Sequence, residues 1–127
     1  MLEQTKKYAP IAVRYSVGLA FFLIGIDQLI RPAAWLGYYP DWITSFMSLT
    51  SFGIFNGIFD AVIGAFLLIG LLTRIASAIA VFHLVGVIYT LGYNDVAIRD
   101  LSILIAAVAI FMYGPDDWAL DKKIWKN

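Results

Sequence analysis

Apolar residues run along this chain in four long blocks, and the polar residues fall mainly between them. The blocks cover residues 10–30, 52–72, 75–92 and 96–113. A helix rises about 1.5 Å per residue, so about 20 residues cross the hydrocarbon of a bilayer. The last two blocks are slightly short and lean on their polar ends. The pattern predicts an all-α membrane protein: a four-transmembrane-helix bundle forming a single membrane domain over residues 1–127. Thr73 and Arg74 alone separate the second and third blocks, and Tyr93, Asn94 and Asp95 the third and fourth. Turns this tight make antiparallel neighbours. The first connection, 31–51, is long. Pro32 and Pro40 interrupt it, and Trp35, Tyr38, Tyr39 and Trp42 fill it. Amphipathic rings favour the membrane–water interface. The segment therefore reads as an aromatic interfacial loop carrying a short helix, with a re-entrant piece folded back onto the bundle as the alternative. No internal repeat, linker or low-complexity stretch is visible.

Composition strengthens this picture. Hydrophobic residues make up 61% of the 127 and charged residues 14%, against about 45–50% and about 25% in soluble domains. A soluble core of this size has too little interior for the excess. Nine basic and nine acidic side chains leave no net sign, which argues against nucleic acid as a partner. Cysteine is absent and histidine occurs once. Disulfides, iron–sulfur clusters, bis-histidine haem and cysteine zinc sites are therefore not expected from this chain, and no metal site is assigned.

Lys6 and Lys7 precede the first apolar block, as in a signal peptide. The block is too long for a signal's apolar region, and no small-x-small cleavage site follows, so a retained first span is expected. With four spans, Lys6, Lys7, Arg14, Arg74, Lys122, Lys123 and Lys126 share one side, and only Arg31 and Arg99 lie on the other. The positive-inside rule then predicts both termini in the cytoplasm of a multi-pass inner-membrane protein.

Charge inside a membrane costs about 2.5–3.5 kcal/mol per group on insertion scales. The groups needing explanation are Asp27, Gln28, Arg31, Asn56, Asp60, His83, Arg99 and Asp100. Given the topology, all converge on the outer half of the bundle. Gly53, Asn56, Gly57, Asp60 and Gly64 share one face of the second helix by their 3–4 spacing. Glycines there admit another helix or a flat ligand. Asp60 and His83 differ in height by one to two turns, close enough to connect directly or through water. With Tyr89 or Tyr93 nearby they would form a proton relay. The plainer readings are an i,i+4 helix-end pair for Asp27–Arg31, an interfacial anchor for Arg99–Asp100, a packing role for His83, and an ion pair of Asp60 with Arg99 or Arg31. Asp27, Gln28, Arg31, Asn56, Gly57, Arg99 and Asp100 stand as ligand-binding candidates beside the pair Asp60 and His83.

Three segments carry a family resemblance: GIDQLIRP closing the first helix, DAVIGAFLLIGLLTRIASAIA across the second and third, and IRDLSILIAAVAIFMYGPDDWALD from the fourth into the tail. Together they resemble the DoxX family of small four-helix membrane proteins, from about Arg14 to Asp121. The most specific part is Arg99-Asp100, an apolar run, and the ending Gly114, Trp118, Asp121. Family members often carry Glu where Asp60 stands, Lys where Gln28 stands and Ser where Ala119 stands. The resemblance implies a membrane redox role, with thiosulfate:quinone oxidoreduction and oxidative-stress complexes as the associated settings. The expected function is a quinone-linked oxidoreductase subunit without a redox centre of its own. Quinone is the implied cofactor, and other membrane subunits or further copies of the chain are the implied partners. The rival readings are a non-catalytic accessory subunit of a respiratory or oxidase complex, and a small transporter or lipid-binding protein.

Overall fold

The computed structural model describes residues 1–125; Lys126, counted above with the inner-side basic residues, and Asn127 lie outside them. Four long helices run through the described chain: α1 (Ala9–Ile30), α2 (Leu49–Ile69), α3 (Thr73–Leu91) and α4 (Asp95–Tyr113). A short α5 (Leu120–Ile124) ends it, and no strand occurs among the described residues. A helical lead-in over residues 2–8 makes the first candidate span continuous from Leu2 to Ile30. All four spans are long and apolar enough to cross a membrane, and the protein is an integral membrane protein.

The helix ends follow from local chemistry. Pro10 sits in the first turn of α1, where its missing N–H has no helical partner to lose. Ser48 caps α2 by accepting from the Ser51 amide at 3.1 Å. Gly70, at φ +80°, ends the helix in the left-handed region. The second span therefore starts at Leu49 and stops at Ile69, three residues earlier at each end than hydropathy predicts. Asn94 caps α4 through the Ala97 amide at 2.9 Å.

The bundle is built as two tight pairs, α1 with α2 and α3 with α4, and contacts between the pairs are sparser. Lipid tails are as apolar as leucine, so close packing rather than water exclusion joins such helices. A Cβ on Gly25 would lie 2.3 Å from the Ala61 amide nitrogen, and one on Gly64 2.3 Å from that of Phe22. Gly57 and Gly64 of α2 are thus taken up by α1, while Gly53 meets the Tyr39 ring. Alanines do the same work in the other pair: Ala76, Ala80 and Ala107 are buried with Val17, Phe21, Ile63, Leu67 and Ile110 in one core. Phe55, Phe82 and Tyr89 are 67%, 78% and 88% exposed, as expected of side chains facing lipid.

The tail after α4 locks the end of the bundle where α1 starts and α4 stops. Arg14 is 1% exposed and makes a two-pronged ion pair with Asp116 at 2.6 and 3.0 Å. Its third nitrogen donates to the carbonyls of Leu67 and Leu68 at 2.7 and 2.9 Å. The last helical carbonyls of α2 lack internal partners, so the guanidinium serves as their cap. Asp121 accepts from the Leu72 and Thr73 amides, both at 2.7 Å, and caps the start of α3 from the other end of the chain. Burial pushes its carboxyl up, but those amides more than compensate and hold it below the ordinary carboxylate range.

Candidate functional site

A cavity of about 370 Å³ opens in the half of the bundle that lies under the long loop, where the two helix pairs part. All four helices contribute to its wall. Phe21, Ile24 and Gln28 come from α1, Asn56 and Asp60 from α2, His83 and Gly86 from α3, and Arg99, Asp100 and Ile103 from α4. The long loop forms the roof. Its short helical turns, Pro32–Trp35, Leu36–Tyr38 and Asp41–Ser45, bring Trp35, Tyr39, Trp42 and Ile43 onto the cavity. Ile43 is 4% exposed, so the loop packs onto the bundle.

Polar groups in this cavity form one connected network. Gln28, 1% exposed, is its hub. Its amide nitrogen donates to Asp60 Oδ2 at 2.9 Å, and its oxygen accepts from Tyr39 Oη at 2.7 Å and from Asn56 Nδ2 at 2.9 Å. Asn56 also reaches Asp60 Oδ2 at 3.3 Å, one helical turn away. On the far side of the carboxylate, His83 Nε2 stands 3.1 Å from Asp60 Oδ1. The angle there is not that of a hydrogen bond, and Oδ1 is a buried oxygen without a hydrogen-bond donor among the described residues. Phe21 and Phe59 flank the imidazole, with ring centroids 6.1 and 4.8 Å away. Tyr39 lies outside the spans. Burial first, and the Asp60 charge second, push its phenol up to about 12. It therefore stays protonated at neutral pH and acts as a fixed donor to Gln28.

The structure sorts the candidates read from the sequence. Gln28, Asn56, Asp60 and His83 meet in one cluster. Arg99 and Asp100 pair with each other at 3.1 Å on the α4 wall of the same cavity. Asp27 and Arg31 do not belong to it. They form a two-pronged pair at 2.9 and 2.8 Å that also holds the Trp35 indole at 2.8 Å, so they secure the turn from α1 into the loop. Gly57 is no part of the wall either, because its Cβ position faces the Gly25 carbonyl at 3.0 Å in the α1 crossing. An ion pair of Asp60 with Arg99 or Arg31 is absent among the described residues, since amides and the imidazole surround the carboxylate instead. Tyr89 and Tyr93 are 88% and 93% exposed and point away from the cluster. The phenol in the network is Tyr39, from the loop.

Three further residues escaped sequence reasoning. Nothing in the loop's run of aromatic residues says which ring turns inward, and Tyr39 is known only from Gln28. Arg14 and Asp116 pair across 102 positions, and Arg14 reads from sequence as an ordinary inner-side cation.

Comparison with known proteins agrees with the helix pattern. Residues 9–92 match the DoxX family model. An uncharacterized membrane protein of Mycobacterium tuberculosis is 28% identical over 134 aligned residues, which cover 92% of this chain and 82% of that protein. No solved structure matches.

Proposed function

This chain belongs to the DoxX family, and on that premise we propose that it holds a quinone ring in the outer-half cavity, as the membrane subunit of an oxidoreductase whose redox centre lies on a partner chain. One observation carries the reading: an apolar, ring-sized cavity has the buried Asp60 in its wall with the half-buried His83 imidazole 3.1 Å away. Reduction of a quinone to a quinol takes two electrons and two protons. The electrons would come from the partner, since one histidine and no cysteine supply no redox centre here. This chain's residues would handle position and protons. Trp35 and Trp42 offer flat walls to a ring. Asp60 and His83 both line the cavity, and neither ring nitrogen of His83 makes a hydrogen bond among the described residues. An imidazole in the wall of the cavity is a group that can exchange a proton with a bound ring. Arg99 places a cation where a carbonyl oxygen could accept from it. In this reading both termini are cytoplasmic and the cavity faces the outer side, because the basic residues gather at the opposite end.

The accessory-subunit reading asks for an exposed small-residue helix face. Gly25, Gly57 and Gly64 are taken up in the α1–α2 crossing and do not supply such a face.

The test uses the purified full chain in lipid nanodiscs, titrated with a decyl-tailed benzoquinone and followed by quenching of tryptophan emission. Trp35 and Trp42 line the cavity and report directly. Saturable quenching is expected. Asp60→Asn should weaken it about tenfold, which is about 1.4 kcal/mol, and His83→Gln should weaken it less. Wild-type protein with no saturable quenching ends the quinone reading. C-terminal reporter fusions active only outside the cell would reverse the orientation.

A further inference from the structure

The cavity also has a side. On α3, Phe82, Gly86 and Thr90 follow one another at four-residue spacing, and all three line the cavity. All three are also exposed on the outside of the bundle, Phe82 by 78%. One helix edge therefore belongs both to the cavity wall and to the lipid-facing surface. A Cβ built on Gly86 meets nothing within 4 Å. That distinguishes it from Gly25 and Gly64, whose missing side chains admit a neighbouring helix. Thr90 turns its hydroxyl back onto the Gly86 carbonyl at 2.7 Å, which hides both polar atoms from an apolar neighbour. The helix facing this edge is α2, and contacts between α2 and α3 are among the sparsest in the bundle.

On the loop side Trp42 and Tyr38 also line the cavity and are 60% and 48% exposed, but two residues hold the loop down. Ile43 and Tyr39 pack down from the loop, and Tyr39 is tied to the buried Gln28 at 2.7 Å. Volume points the same way. About 370 Å³ lies near the lower end of small-molecule sites, which run from about 300 to 1,000 Å³. It accommodates one substituted ring and leaves no room for a long apolar tail.

We infer that the cavity is loaded sideways from the bilayer, through an opening between α2 and α3 whose sill is Phe82, Gly86 and Thr90. Its ligand is accordingly a two-part lipid: a compact polar ring that enters, and an apolar tail that stays among the acyl chains. This rests on the quinone reading for the identity of the ring, and it adds the route and the tail.

Gly86→Phe tests the route. The added ring enters open space, so the fold should tolerate it, and helicity and thermal midpoint verify that it does. Thr90→Phe, one turn along the same exposed edge, provides an independent plug. Association of the decyl-tailed benzoquinone is measured by stopped-flow tryptophan quenching in nanodiscs, beside its tail-less dimethoxy counterpart. Both variants should slow association of the tailed compound at least tenfold, and the tail-less compound less. Unchanged association of the tailed compound in a folded Gly86→Phe variant overturns the lateral route. So does a Trp42→Ala variant in which opening the loop, and not plugging the sill, changes the rate. Absence of quenching by either compound in wild-type protein is a separate outcome: it removes the quinone reading, and the lateral route falls with it.

Discussion

Gln28 shows how much one neutral side chain can organise inside a membrane. A carboxylate at this depth needs donors, and the two amides supply them without adding a second charge. The amide oxygen of Gln28 meanwhile accepts from both Tyr39 and Asn56. Each partner would be left short if the amide were removed, because buried polar groups rarely find substitutes. Gln28→Leu keeps the volume and deletes both functions. It is expected to cost about 1–3 kcal/mol, the range for stranding a buried polar group. It should also release the loop, since Tyr39 loses its anchor. Thermal unfolding in one fixed detergent measures the first effect, and proteolysis within 36–46 the second. A Gln28→Leu protein with the wild-type midpoint and an equally resistant loop would show that the network does not hold the roof. The depth of Asp60 was legible in the sequence, as was its closeness to His83. Gln28 was legible as a candidate but not as the hub, because nothing in the sequence says that Tyr39 folds down onto it.

Glycine means different things on different helices, and that is settled at the scale of the element. From the sequence, the face bearing Gly53, Gly57 and Gly64 allowed either a helix or a ligand. The structure resolves the choice in favour of α1 for Gly57 and Gly64, while Gly53 receives the Tyr39 ring, 2.9 Å from its Cβ position. Spacing along α2 could not decide this, because it reports which residues share a face but not what lies opposite. Gly64→Ala forces a methyl to within 2.3 Å of the Phe22 backbone. Backbone cannot rotate aside as a side chain can, so the helices must part, at about 1–3 kcal/mol. Gly86→Ala makes the same chemical change on α3 with nothing in the way. There the intrinsic preference of alanine for helix, about 0.8–1.0 kcal/mol over glycine, should raise stability. The two variants are thus expected to shift the thermal midpoint in opposite directions. A common direction would mean that crossing geometry does not govern either site. The same limit explains the phenols. Height along α3 placed Tyr89 level with Asp60, but rotation about the helix axis turns it to the outside.

At the scale of the whole molecule, the two ends of the bundle solve the problem of buried charge differently. The end under the loop surrounds one carboxylate with neutral donors and leaves a cavity beside it. The opposite end closes with a compensated ion pair, Arg14–Asp116, joining α1 to the segment after α4. Four helices were readable from hydropathy. This closure was not, because its partners are 102 residues apart and only the folded chain brings them together. Removing one member should be severe. Arg14→Met leaves Asp116 buried without its counter-charge, a loss of about 3–5 kcal/mol. Adding Asp116→Leu removes the stranded charge, and in many proteins such a double replacement restores stability or exceeds it. Here recovery should stop short of wild type. The guanidinium also serves the Leu67 and Leu68 carbonyls, and Asp116 also accepts from the Trp118 amide at 2.9 Å. Neither Met nor Leu replaces those bonds. Thermal unfolding of the two single variants and the double variant, in one detergent, separates the effects. The expected order is wild type, then the double variant, then Arg14→Met. A double variant at least as stable as wild type would mean that the ion pair is dispensable and apolar packing alone closes that end. Arg14→Met unfolding at the wild-type midpoint would remove the pair from the account of the fold altogether.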